Sequence, residues 1–231
     1  MIEVEWWDYE SPEELAEAVA GDVGFIIDSA VEARSASLVA LPGSADEAPL
    51  LAKLSAQAVP WKRVTIIPTD DLIVAVDDER SKIRSIAKSF LPKGARVFPV
   101  VSGAAEDYRL AGAAADARLQ DLPWPPDLVW LGMGQDGDTA GLFAGNDLLA
   151  AMDAPKARRA IGVMPENGDG MGRVSLTRAA ILSARALLIT VIGQEKRDLL
   201  EGAIADGHSS KLPIGRVLAE AEQPIDIHWC A

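Results

Sequence analysis

The chain predicts an α/β fold: a mostly parallel, doubly wound sheet with helices on both faces. Three observations carry that expectation. Short apolar runs recur without polar alternation, as in Ser37–Leu41, Leu128–Leu131 and Ala186–Ile192, which is how strands buried on both sides read. Segments with apolar residues at helical spacing separate these runs, and that alternation implies crossover connections. No Ser/Gly/Pro-rich linker or low-complexity run divides the 231 residues, 49% of them hydrophobic, so a single domain spanning 1–231 is expected.

The elements follow in order. Ser11-Pro12-Glu13-Glu14 opens a helix, with Ser11 as cap, Pro12 in the first turn and Glu14 closing a capping box. Leu15, Val19, Val23, Ile26 and Ile27 supply its apolar face as far as Arg34. A buried strand at Ser37–Leu41, a helix near Pro49–Gln57 and a strand at Arg63–Ile67 come next. Arg80–Leu91 is an amphipathic helix with Ile83, Ile86, Ala87 and Phe90 on one face. A strand at Arg96–Val101, a helix at Ala104–Leu119 and a strand at Asp127–Leu131 follow, then an apolar run at Ala160–Met164. Thr177–Ser183 is helical, Ala186–Ile192 a strand, Gln194–Ala205 and Pro213–Ala221 helices, and Ile225–Trp229 the last strand. In Rossmann-like sheets of this kind ligands sit beyond the carboxyl ends of the strands, so the turns after Leu41, Ile67, Leu131 and Ile192 are the places to search.

Composition narrows the partners. A net charge of −13 repels nucleic acid and anionic membranes, and no apolar run reaches the length of a bilayer span. The single Cys230 permits no internal disulfide, and no Cys/His spacing suggests a metal. The acidic amino-terminal decapeptide lacks a signal-peptide core. A cytoplasmic protein, monomeric or a small homo-oligomer, is the expectation.

The most informative stretch is Asp127–Gly145, DLVWLGMGQDGDTAGLFAG. A hydrophobic strand runs into a glycine-rich turn whose free amides suit an anion, followed by Asp136 and Asp138. Two aspartates two apart in a turn either face one pocket or point opposite ways, and in many turns each simply bonds nearby amides. Gly132, Gly134 and Gly137 also satisfy GxGxxG, but mid-chain and without a strand-terminating acid about 20 residues on, so a dinucleotide is not expected. After Leu41 stand Gly43 and Ser44, then Asp46 and Glu47, two acids suited to a helix start. After Ile67 come Asp70 and Asp71, and after Ile192 the string Gly193-Gln194-Glu195-Lys196 places a lysine one helical turn in. His208 in a polar loop and His228 in the last strand occupy no recognised catalytic position.

The central stretch closely resembles GxGxDGHTASLFPG, the signature of the 6-phosphogluconolactonases, within the glucosamine-6-phosphate deaminase/sugar-phosphate isomerase-like superfamily. Further motifs match in order. Gly43-Ser44 falls in the family's SGGxTP turn, Asp70 on the aspartate of DER-x-V-P, Arg173 on the arginine of RxTLT, and Gly193–Lys196 on G-x-x-K. The chain departs from the pattern at Asp138 (histidine in the family), Leu72 (arginine), Ala75 (proline), Lys82 (asparagine) and at Asp46-Glu47 (Thr-Pro). Lys82 either replaces the lost guanidinium charge or is an ordinary solvated helix lysine.

The resemblance implies a hydrolase opening 6-phosphoglucono-1,5-lactone in the pentose phosphate pathway, a small sugar phosphate as partner, and no metal or organic cofactor. It implies Asp138 as general base with Asp136 beside it, and Gly43, Ser44, Asp70, Gly134, Arg173 and Lys196 as substrate-binding residues, with Lys82, new to the pattern, as a substrate-binding candidate in place of the lost arginine. A carboxylate is a weaker base than imidazole by about 2.6 pKa at reference values, so a slower or retuned enzyme is expected. A non-catalytic sugar-phosphate binder, or a hydrolase or isomerase for a different sugar derivative, are the alternatives.

Overall fold

The computed structural model describes residues 2–166 and 170–231. The chain runs β1 (Val4–Tyr9), α1 (Pro12–Arg34), β2 (Ser37–Leu41), α2 (Ala48–Ser55), β3 (Val64–Pro68), β4 (Asp70–Leu72), α3 (Lys82–Phe90) and β5 (Arg96–Val97). It continues through α4 (Tyr108–Leu119), β6 (Leu128–Gly132), α5 (Asn146–Met152), β7 (Ala160–Val163), β8 (Arg173–Leu176) and α6 (Arg178–Leu182). Last come β9 (Ala186–Ile192), α7 (Gln194–Asp206), α8 (Pro213–Leu218) and β10 (Ile225–Cys230).

Seven strands form one sheet in the order β1-β10-β9-β6-β2-β3-β5, and every neighbouring pair is parallel. Alternate residues of its central strands feed two cores. Leu38, Ala40, Val129 and Leu131 pack on one face, while Val39, Leu41, Leu128 and Trp130 pack on the other with α1 and α2. Burial on both sides is why these strands read as unbroken apolar runs. The wholly buried Trp130 indole donates to Thr190 Oγ1 at 3.0 Å, so its polar atom is satisfied.

From β2 the chain winds outward through β3 and β5, then returns to β6 and winds the other way through β9 and β10. The switch point therefore lies between β2 and β6. Those two strands pair at only two register positions, Val39 with Leu128 and Ala40 with Val129, whereas β6 stays with β9 as far as Gly132 opposite Thr190. Beyond Ala40 the two strand ends part and open a crevice.

A second sheet, antiparallel and ordered β4-β8-β7, caps this end and sets Leu72 opposite Arg173 and Asp70 opposite Ser175. The sequence pattern does not announce it, because β4 and β8 are three and four residues long. Nor does it announce α5 or the charged edge strand β1. The strand expected to reach Val101 stops at Val97, because Phe98 still donates to Ile66 but Pro99 has no N–H to continue the ladder. The helix expected from Ala104 starts at Tyr108, where the Asp107 carboxylate caps the amides of Arg109 and Leu110. The box at the head of α1 forms with a shift of one residue. Ser11 Oγ accepts from the Glu14 amide, but the Glu14 carboxylate accepts from the Glu10 amide rather than that of Ser11. Among the described residues no helix is long and apolar enough to cross a membrane.

Candidate functional site

A cavity of about 230 Å³ occupies the crevice at the switch point. Its walls come from the turn after β2 (Ser44, Asp46, Glu47), the β3–β4 junction (Thr69, Asp70), and Lys82 at the head of α3. The loop after β6 (Gly134, Asp138, Thr139) and Arg173 of β8 complete it.

Glycines of the central loop let three carboxylates approach its backbone. A Cβ on Gly134 would stand 1.9 Å from Asp138 Oδ1, one on Gly132 2.2 Å from Glu47 Oε1, and one on Gly141 2.6 Å from Asp70 Oδ2. Any side chain there would expel the carboxylate. The loop itself is fixed by Gly134 N donating to Asp138 O at 2.9 Å and by Thr139 Oγ1 donating to Gly132 O at 2.8 Å. Burial pushes the Asp138 carboxyl above its ordinary pKa. Its own amide and the Lys82 charge pull it back down, while Asp70 and Asp136 push it further up.

Two cations line the same cavity. Lys82 Nζ donates to both oxygens of Asp70, each at 2.7 Å, and keeps 22% of its side chain in solvent. Its placement depends on Asp71. That buried carboxylate accepts from the amides of Leu72, Lys82 and Ile83 and from the Ser81 hydroxyl, so it caps α3 from a neighbouring strand. Arg173 lies with its guanidinium carbon 4.9 Å from the centre of the Phe143 ring, another cavity residue.

The fold thus gathers Ser44, Asp70, Lys82, Gly134, Asp138 and Arg173 around one cavity. Gly43 lies just behind it, so close to α3 that a Cβ would meet Lys82 Cβ at 2.8 Å. Asp136 is exposed at the tip of the loop, off the lining. Lys196 is also off the lining: its ammonium donates to Met133 O at 2.9 Å and braces the loop from the α7 side. Asp46 and Glu47 do not cap α2 with their side chains. Glu47 makes no capping bond, accepts instead from Ser44 Oγ, and with Asp46 faces the cavity. Phe143 and Thr139 are site residues that charge and nucleophile patterns miss, although both fall inside the glycine-rich stretch. Among the described residues no cluster of three His, Cys, Asp or Glu side chains is arranged to hold a metal ion.

The arrangement offers a part-buried carboxylate of raised basicity beside a fixed ammonium, with a guanidinium in the same cavity. Such a set can draw a proton from water and hold negative charge that develops next to it.

Comparison with known proteins points the same way. The family model for glucosamine-6-phosphate isomerases/6-phosphogluconolactonase matches residues 10–229. A 6-phosphogluconolactonase of Rhizobium meliloti (strain 1021) is 34% identical over 224 residues, covering 96% of each chain. One from Pseudomonas putida is 32% identical, covering 94% of this chain and 88% of its own. The crystal structure of a 6-phosphogluconolactonase from Shewanella baltica OS155 superposes with a TM-score of 0.91 at 25% identity, over 99% of this chain and 98% of that one. A monomeric glucosamine-6-phosphate deaminase shares the fold, with a TM-score of 0.79 at 14% identity.

Proposed function

Since the chain belongs to the family of glucosamine-6-phosphate isomerases and 6-phosphogluconolactonases, we propose that it is a lactone hydrolase converting 6-phosphoglucono-1,5-lactone to 6-phosphogluconate. The observation that carries the mechanism is the Asp138 carboxylate, buried enough to gain basicity and seated on Gly134 in the cavity that Lys82 and Arg173 also line.

In this reading Asp138 takes a proton from a water molecule as that water adds to the lactone carbonyl. Lys82 faces the oxyanion that forms on the carbonyl oxygen, and Asp70 holds the ammonium so that no rotamer search precedes the step. Collapse breaks the bond between the carbonyl carbon and the ring oxygen, which takes the proton back from Asp138 and leaves as a hydroxyl. Arg173 receives the phosphate, and Lys196 acts at one remove by bracing Met133. Asp136 acts through its field, raising the basicity of Asp138 from the loop tip.

The test is hydrolysis of 6-phosphogluconolactone above the spontaneous rate by the parent chain, Asp138→Asn and Asp138→His. Loss of about 10²–10⁴-fold in Asp138→Asn and recovery or gain in Asp138→His support the assignment. Parent activity that survives Asp138→Asn removes Asp138 as the base. No activity in any of the three turns the reading to a binding protein.

One observation favours a second reading. Four carboxylates (Asp46, Glu47, Asp70, Asp138) line the cavity against two cations (Lys82, Arg173). That surplus suits a sugar lactone carrying less negative charge. Inorganic phosphate separates the two, because it competes with a phosphorylated substrate and leaves turnover of an uncharged lactone unaffected.

A further inference from the structure

We propose that the crevice between α1 and the β1–β10 edge of the sheet is a binding site for a small alkylated ammonium cation. The crevice has a volume of about 400 Å³ and shares no lining residue with the catalytic cavity. That volume falls in the usual range for small-molecule sites, about 300–1,000 Å³.

Its chemistry is set by four aromatic rings and two carboxylates. Trp7 and Tyr9, two apart on β1, project on the same face of the sheet, with the His228 ring of β10 between them. Ring centroids stand 6.5 Å from Trp7 to His228 and 5.7 Å from Tyr9 to His228. Across the opening α1 contributes Phe25, 73% exposed, and Asp22, while Asp226 of β10 accepts from the Trp7 indole at 3.2 Å. Among the described residues no lysine or arginine lines the crevice. His228 does not supply the missing charge. Burial holds its pKa down at about 4, against an upward pull from Asp226, so the ring is neutral at physiological pH.

The opposite face of the same two strands shows what such a lining accepts. There Trp6 and Trp229 flank the Arg197 guanidinium at 4.7 and 4.4 Å, and the carboxylates of Asp8 and Glu201 bond it at 2.6 and 3.0 Å. Two rings and two acids hold a cation that the chain itself provides. The α1 side repeats the rings and acids without a cation of the chain among its lining residues. A weakly hydrated, alkylated ammonium suits it better than a metal ion, because aromatic faces attract organic cations, the floor at Ile26 and Leu188 is apolar, and among the described residues no three His, Cys, Asp or Glu side chains are arranged to hold a metal.

The test titrates the intact protein with tetramethylammonium and choline, following the Trp7 indole N–H resonance and the heat of binding. The uncharged choline isostere 3,3-dimethylbutanol and sodium chloride serve as controls. The expected result is saturable binding of both cations, weaker or absent binding of the isostere, and no response to sodium. Trp7→Leu weakens binding by about 2- to 30-fold, the value of one cation–π contact. Asp22→Asn, whose side chain is 59% exposed and keeps an acceptor toward His228 Nε2, 3.6 Å from the carboxylate, also weakens it and decides the matter if Trp7→Leu is unstable. Lactone hydrolysis stays unchanged in Asp22→Asn, which separates this site from the catalytic reading. Equal binding of the isostere, no saturable binding, or full affinity in Asp22→Asn overturns the proposal.

Discussion

Both oxygens of Asp70 accept from the Lys82 ammonium at 2.7 Å, and this pair acts on Asp138 from both directions: Lys82 lowers its pKa and Asp70 raises it. Removing either partner therefore moves the base oppositely. Lys82→Met should shift the acid limb of the pH profile of kcat/KM to higher pH, and Asp70→Asn should shift it lower. Lys82→Met should also destabilise the fold by about 1–3 kcal/mol in urea titrations, because it strands a carboxylate that is 1% exposed. Shifts in the same direction would mean that the limb belongs to another group.

The raised pKa of Asp138 also has a consequence for stability, because burial is its leading cause. A carboxyl whose folded pKa exceeds its unfolded value favours folding most below the unfolded pKa, and that contribution is lost as pH rises through the folded pKa. At neutral pH the ionised Asp138 is thus a burden on the fold. Asp138→Asn should be at least as stable as the parent at pH 7, by thermal or urea unfolding, while losing about 10²–10⁴-fold in rate. A variant that loses both activity and stability would point to a structural role for the carboxylate.

The architecture was legible because β2, β6 and β9 are buried on both faces and carry their signal in apolar runs that no surface chemistry interrupts. The small sheet was not, since β4 and β8 are too short for periodicity and are held by long-range pairing of Asp70 with Ser175 and Leu72 with Arg173. At the site, strand-end chemistry singled out Asp70 and Asp138 and the family motif singled out Arg173, and all three line the cavity, but side-chain direction could not be read. Glu47 looked like a helix cap and instead turns to Ser44 and the cavity. Lys196 looked like an anion ligand and instead bonds a carbonyl. Asp71, next to Asp70 after the same strand, is spent on the amides that start α3.

The contact of Asp138 with Gly134 makes a steric prediction that charge does not. Gly134→Ala places a methyl where Asp138 Oδ1 stands, so the carboxylate must move. Its kcat/KM should fall by about 10²-fold or more, since small misplacement of a base is that costly. Gly202→Ala, in the exposed middle of α7 with nothing within 4 Å of the new Cβ, serves as control. It should leave activity intact and stabilise the protein by about 0.5–1 kcal/mol through helix propensity. Full activity in Gly134→Ala would show that the carboxylate position seen here is not the one used in turnover.

Glu47 gives the sharpest measure of how the acid surplus acts on substrate. Glu47→Gln keeps an acceptor for Ser44 Oγ and the same reach toward Gly132, so it changes charge more than shape. Removing a negative charge from the cavity wall should lower KM for the phosphorylated lactone and the inhibition constant of inorganic phosphate by about 2- to 10-fold. With kcat little altered, the gain would lie in uniform binding rather than in the transition state. The gain should shrink as salt rises, because the cavity opens to solvent and its field is screened over about 8–10 Å at physiological ionic strength. An uncharged lactone assayed alongside should show no change. If both lactones improve alike, Glu47 acts by filling space beside Gly132; if neither does, the phosphate binds beyond its field, toward Arg173.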